Sequence, residues 1–143
     1  MELQVGVKAL LLDGNGSVLL LLRSKKYETA EGTWDIPGGR IDKGTTLAEN
    51  LAREVREETG LALTGTPTLL AAQDIMFQNA AGEEKHIVRL TYAATAEGEP
   101  TLDGAEHTEF RWVPLSELAA LPGLDPYLKQ LVDEGRITSA CWN

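Results

Sequence analysis

The sequence predicts an α+β domain of the α/β/α kind, with a mixed sheet lying between helices. Three observations carry this reading. Apolar runs bounded by Gly- and Asn-containing turns occur on both sides of the chain's middle. One strongly capped amphipathic helix separates them, and a second helix follows near the C-terminus. The 143 residues suit a single domain, 1–143, with no repeat, linker or low-complexity segment.

Val5 to Leu12 and Val18 to Leu22 are apolar and flank the turn Asp13-Gly14-Asn15-Gly16, so they read as a β-hairpin buried on both faces. Segment 24–33 is polar and Gly-containing, hence a loop, and Trp34-Asp35-Ile36 is a short strand ended by Pro37-Gly38-Gly39. Thr46 to Thr59 is the clearest helix. Thr46 and Glu49 form a capping box, and Leu47, Leu51 and Val55 recur every four residues beside Ala48 and Ala52. Gly60 stands where a left-handed C-cap belongs. Thr68 to Gln78 and His86 to Ala96 read as strands joined by the turn Asn79-Ala80-Ala81-Gly82. A polar loop, Glu97 to Glu109, precedes a strand from Phe110 to Val113. A short helix opens at Pro114-Leu115-Ser116-Glu117-Leu118, and Asp125 to Asp133 is the last helix, stopped by Gly135.

Composition narrows the function. Thirteen basic against twenty-two acidic residues give a net charge of −9, which repels phosphate backbones and argues against nucleic-acid binding. A small phosphorylated substrate remains compatible if a divalent cation bridges the two. The N-terminus has no basic stretch ahead of an apolar run, and Val18 to Leu22 is too short to cross a bilayer. With Cys141 as the lone cysteine, a cytoplasmic protein without a membrane partner is expected.

The chemistry concentrates in Arg53-Glu54-Val55-Arg56-Glu57-Glu58-Thr59-Gly60. On a helix Glu54, Glu57 and Glu58 fall within an arc of roughly 100°. Three anions there repel one another, and the negative end of the helix dipole disfavours them further. An acidic face that simply meets water is the common alternative. Here the arc abuts the apolar stripe, so the carboxylates need a compensating charge, and hard oxygen ligands suit magnesium. No Asp-x-Asp-x-Asp-Gly loop of the calcium-binding type is present.

Gly39 followed by Arg53-Glu54-Val55-Arg56-Glu57-Glu58-Thr59-Gly60-Leu61 resembles the signature of the Nudix hydrolases, MutT-like members included. That signature runs Gly, five residues, Glu, seven residues, then Arg-Glu-aliphatic-any-Glu-Glu-any-Gly-aliphatic. Trp34-Asp35-Ile36-Pro37-Gly38-Gly39 and Phe110-Arg111-Trp112-Val113-Pro114 are similar to family members as well. Thr45 stands where the pattern asks for glutamate, and Glu49, four residues before Arg53, is an expected substitute partner for that arginine.

The resemblance implies a Nudix-type α/β/α sandwich with a loop-helix-loop signature, and hydrolysis of a nucleoside diphosphate linked to another group. It implies Mg2+, with Mn2+ as a substitute, held by Glu54, Glu57 and Glu58; Glu57 also stands as a catalytic residue. Arg53 would orient the glutamates, while Gly38 and Gly39 would bring backbone close to the metal and substrate. A strand-ending turn explains those glycines equally well. For the general base, Glu106, six residues before Trp112, resembles a loop glutamate of the MutT-like group; Asp103, His107 and Glu109 are its rivals. Arg23, with Lys25 and Lys26, is a candidate for meeting phosphates, although exposed cations more often serve solubility. Trp34, Phe77 or Tyr92 could stack a base, yet each suits the core, and His86 reads as structural.

Side motifs that mark substrate classes in the family are absent, and Phe77 occupies the informative stretch. By elimination the expected substrate is a nucleoside or deoxynucleoside triphosphate, cut to monophosphate and pyrophosphate. ADP-ribose or another nucleotide sugar is the alternative. A non-catalytic nucleotide-binding module is the alternative of another class, although such relatives usually lose cluster glutamates that this chain keeps. A homodimer is common among relatives.

Overall fold

The computed structural model describes residues 2–24, 32–102 and 107–142. Its strands are β1 (Glu2–Leu11), β2 (Ser17–Arg23), β3 (Trp34–Asp35), β4 (Gly38–Arg40), β5 (Ala62–Gln78), β6 (Glu84–Glu97) and β7 (His107–Pro114). Two α-helices accompany them, α1 (Leu47–Thr59) and α2 (Pro126–Asp133), with 3-10 turns at Leu115–Ala120 and Ser139–Trp142. The strands form a four-stranded sheet ordered β4-β1-β6-β5 and a three-stranded sheet ordered β3-β2-β7.

The expected hairpin does not form. β1 and β2 belong to different sheets, and the Leu12–Val18 bridge is the point where their ends touch. The reason lies in their composition. Val7 and Ala9 to Leu11, like Val18 to Leu21, are all buried. A strand apolar on both faces belongs inside a sheet, and each run here has a neighbour on either side. β1 lies between antiparallel β4 and parallel β6, and β2 lies between antiparallel β3 and β7. The Asp13 carboxylate accepts from Asn15 N and Ser17 N, so the turn makes a corner between sheets.

Other boundaries move outward. β5 starts at Ala62 rather than Thr68, crossing pairing irregularities at Thr64/Thr68 and Leu69/Ala71. His107 to Glu109, expected in the polar loop, belong to β7. The helix at Pro114 to Leu118 is a 3-10 turn.

α1 forms as its caps dictate. Thr46 Oγ1 accepts from Glu49 N, the Glu49 carboxylate accepts from Thr46 N, and Gly60 closes the helix at φ 73°. Leu51, Val55 and the following Leu61 pack on Val7, Ala9 and Leu11 of β1, with Leu19 and Leu21 of β2. A second core gathers Leu10, Val18, Leu20, Ile36 and Val113 around Leu128 of α2. Removing a buried leucine of this kind from either core would cost about 2–5 kcal/mol. Among the described residues no helix is long and apolar enough to cross a membrane.

Candidate active site

α1 ends its last two turns against the turn between β3 and β4, and the carboxylates meet backbone there. Glu58 is 4 % exposed, and its Oε1 lies 3.4 Å from Gly38 N. Gly39 abuts Glu54 so closely that a Cβ on it would stand 2.7 Å from that carboxylate. At Gly38, with φ 150°, a Cβ would lie 2.0 Å from the Val7 carbonyl oxygen. Glycine at both positions is therefore a steric requirement of bringing β4, β1 and α1 together.

Burial pushes the Glu58 carboxyl up to about 9; the nearby Lys8 ammonium opposes the shift and the hydrogen-bonded Glu54 carboxyl reinforces it. Two carboxyl groups thus share one place, Glu54 with Arg53 beside it at 3.1 Å and Glu58 with the more distant charge of Lys8. Hard oxygen donors, a desolvated carboxylate seeking a cation and a glycine-lined approach all fit a small divalent ion. Glu57 does not join the pair: its side chain is 60 % exposed and lies 3.8 Å from Arg53 Nε. Among the described residues no three acid, histidine or cysteine side chains are gathered closely enough to hold an ion as they stand.

Arg53 donates through Nη2 to Glu54 Oε1 at 3.1 Å and through Nη1 to Asp42 Oδ2 at 2.5 Å. Glu49 is occupied by the capping box, so the expected Glu49–Arg53 pair does not form; Asp42 supplies the anion. Thr45 supports Asp42. Its Oγ1 donates to Asp42 O at 2.7 Å and accepts from Asn50 Nδ2 at 2.5 Å, while Asn50 Oδ1 accepts from Asp42 N at 3.0 Å. The signature's departure at Thr45 is thus met by a neighbouring carboxylate, held in place through a buried asparagine.

The loop after β6 crosses the end of α1, where Thr101 N donates to Thr59 O. His107, the first residue of β7, is buried with Nε2 3.7 Å from Glu58 Oε1. Of the two described candidates for the base on this stretch, His107 is brought to the carboxylates and Glu109 is exposed. Glu106 and Asp103 lie outside the described residues, as do Lys25 and Lys26.

Arg23 is drawn to Asp35, its Nη2 2.9 Å from Oδ2. Asp35 also takes two bonds from Arg89 and an ion pair from Lys8 at 3.1 Å. Burial alone would raise the Asp35 carboxyl, yet Arg89, Lys8 and Arg23 together hold it well below the usual carboxylate range. Asp125, the N-cap of α2, lies 3.4 Å from Arg89. Sequence reasoning missed this cluster. Its signal was a charged residue inside an apolar strand, Lys8 in β1 and Arg89 in β6.

The aromatic candidates divide. Trp34 is buried with the Arg111 guanidinium 4.7 Å above its ring, Tyr92 packs on the α1 core, and Phe77 is 41 % exposed. His86 bonds Asp74 at 2.7 Å, on β5 and β6.

Comparison with known proteins bears on the family and the fold. A family model described as NUDIX domain matches residues 2–134. The crystal structure of a MutT NUDIX hydrolase from Burkholderia pseudomallei is 29 % identical with a TM-score of 0.78, covering 96 % of this chain and 100 % of that one. The nucleoside triphosphatase NudI of Escherichia coli O17:K52:H18 is 27 % identical over 113 residues, 76 % of this chain and 80 % of that protein. The 8-oxo-dGDP phosphatase NUDT18 of Mus musculus is 38 % identical over 68 residues, 48 % of this chain and 20 % of that protein. The chain spans about half the length, or less, of several curated relatives it matches. A signature helix with its caps, a glycine turn packed on its glutamates, a matching family model and a shared fold lead to one conclusion: the chain belongs to the NUDIX family.

Proposed function

We propose that this chain is a divalent-metal-dependent hydrolase of phosphoanhydride bonds in nucleotides, with a nucleoside or deoxynucleoside triphosphate as its substrate class. The observation that carries the reading is the Glu54–Glu58 pair: two carboxyl groups gathered against Gly38 and Gly39, one of them buried. The names of the NudI and mouse relatives support the choice of a nucleotide bearing consecutive phosphates.

Glu54 and Glu58 would hold Mg2+, or Mn2+ in its place, with Glu57 completing the set. Once bound, the ion supplies neutralisation of phosphate charge and a lower pKa for the attacking water. Arg53 keeps Glu54 oriented while itself fixed by Asp42. Water adds to a phosphorus of the anhydride; its O–P bond forms as the bridging P–O bond breaks. The bridging oxygen leaves with the electron pair, giving nucleoside monophosphate and pyrophosphate. Glu57, exposed at the rim, is the proposed acceptor of the water's proton, with Glu106 and His107 as rival acceptors. Gly38 and Gly39 would bring backbone close to the substrate, and Arg23, paired with Asp35, is the proposed cation for a phosphate.

Phosphate and pyrophosphate release from a panel of triphosphates, ADP-ribose and nucleotide sugars, with Mg2+ or with chelator, tests this. Cleavage of a triphosphate that requires the metal is expected, with Glu57→Gln and Glu58→Gln each losing about a hundredfold or more. The reading fails if no panel member is cut, or if both variants cut at the parent's rate.

A further inference from the structure

Lys8 sits in an apolar strand with its side chain 13 % exposed and lies opposite Gly38 in the β1–β4 register. Its ammonium donates to Ile36 O at 3.2 Å and pairs with Asp35 Oδ2 at 3.1 Å. The same side chain therefore grips the two residues that lead into the turn. Its stem fills the room beside Gly38, where an added Cβ would come within 2.8 Å of Lys8 Cδ. Asp35 does not depend on Lys8 for neutralisation, because Arg89 and Arg23 already donate to it. What Lys8 adds is the link between β1 and the main chain just ahead of Gly38, together with a positive charge felt by Glu58.

We infer that Lys8 is a positioning residue for the candidate active site: it fixes the Asp35–Gly39 turn against β1 and so sets where the turn meets Glu54 and Glu58. The inference rests on the hydrolase reading, which makes those two carboxylates functional. A fixed turn matters because small displacements of a catalytic constellation cost large factors in rate. Lys8 need touch neither metal nor substrate, so its loss acts on turnover more than on substrate affinity.

Lys8→Met keeps the stem and removes both polar contacts, while Lys8→Gln keeps a donor for Ile36 O. Steady-state kinetics and Mg2+ half-saturation are measured for both, with amide hydrogen exchange on the metal-free proteins. The expected result for Lys8→Met is a kcat at least tenfold lower with KM within threefold of the parent. Exchange should quicken over residues 34–40 and stay at the parent's rate in α2. Lys8→Gln should recover threefold or more of the lost kcat. A Lys8→Met kcat within twofold of the parent overturns the inference, as does exchange that quickens evenly through the sheet. If the Met variant does not fold, exchange in Lys8→Gln, which lacks the Asp35 ion pair, decides: quickening confined to residues 34–40 supports the inference, and exchange at the parent's rate there, or quickened evenly through the sheet, overturns it. The exchange readout needs no substrate, so it judges Lys8 even if the parent cuts no nucleotide and the hydrolase reading falls.

Discussion

Replacing Glu58 by glutamine should remove a pH-dependent cost from the metal-free fold. In the folded chain burial holds the Glu58 proton up to about pH 9, against an ordinary value of 4.5. Between those limits the folded state binds one proton more than the unfolded state. Stability therefore falls as pH rises through this window, by at most about 1.4 kcal/mol per pH unit. From pH 5.5 to 7.5 the parent should lose about 2–3 kcal/mol on this account. That corresponds to a fall in Tm of roughly 5–10 °C for a domain of this size. Glutamine carries no titrating proton, so the variant lacks the slope, whatever its stability at any single pH. The assay is urea unfolding in chelator at pH 5.5, 6.5 and 7.5 for both proteins. The difference between the two lines reports Glu58 together with the groups it touches, Glu54 and His107. Magnesium should flatten the parent's line and leave the variant's unchanged. Parallel lines in chelator would refute the placement of Glu58 as a desolvated carboxyl in need of a cation.

Three other perturbations follow from the same geometry. Gly39→Ala puts a methyl 2.7 Å from the Glu54 carboxylate and should raise the Mg2+ concentration for half-maximal activity by about 10–100-fold, read from a metal titration. Asp35→Asn leaves Lys8, Arg23 and Arg89 without their shared carboxylate. It should cost about 3–5 kcal/mol in urea unfolding. Asp42→Ala releases the outer end of Arg53 and should lower kcat about tenfold with little change in melting temperature, measured side by side.

Local signals carried what the sequence revealed. Thr46, Glu49 and Gly60 specify the ends of α1 through contacts within a few residues, so the helix was legible in full. The glycine–glutamate spacing was legible for the same reason. Partner choice was not. β1 pairs with β6 some eighty residues away, Val7 opposite Leu90, and nothing in the apolar run Val5 to Leu12 names that partner. The hairpin reading failed there because a doubly apolar strand says how many neighbours it needs and not which. The same blindness hid Asp42, whose partnership with Arg53 depends on a loop folding back through Asn50. It also hid the inward turn of Glu58 and the outward lean of Glu57, since helical spacing gives an arc and not a depth.

The Asp35 cluster makes mutational tolerance unequal. Any one of its three cations can be exchanged for a neutral residue while the carboxylate keeps two partners. Loss of the carboxylate removes the anion shared by all three at once, with Asp125 remaining beside Arg89. Under selection for folding alone, sequence drift at this place should therefore wander through Lys8, Arg23 and Arg89 one at a time, with Asp35 changing only after the cations have thinned. A library randomised at these four positions and selected for folding alone would be expected to retain aspartate first.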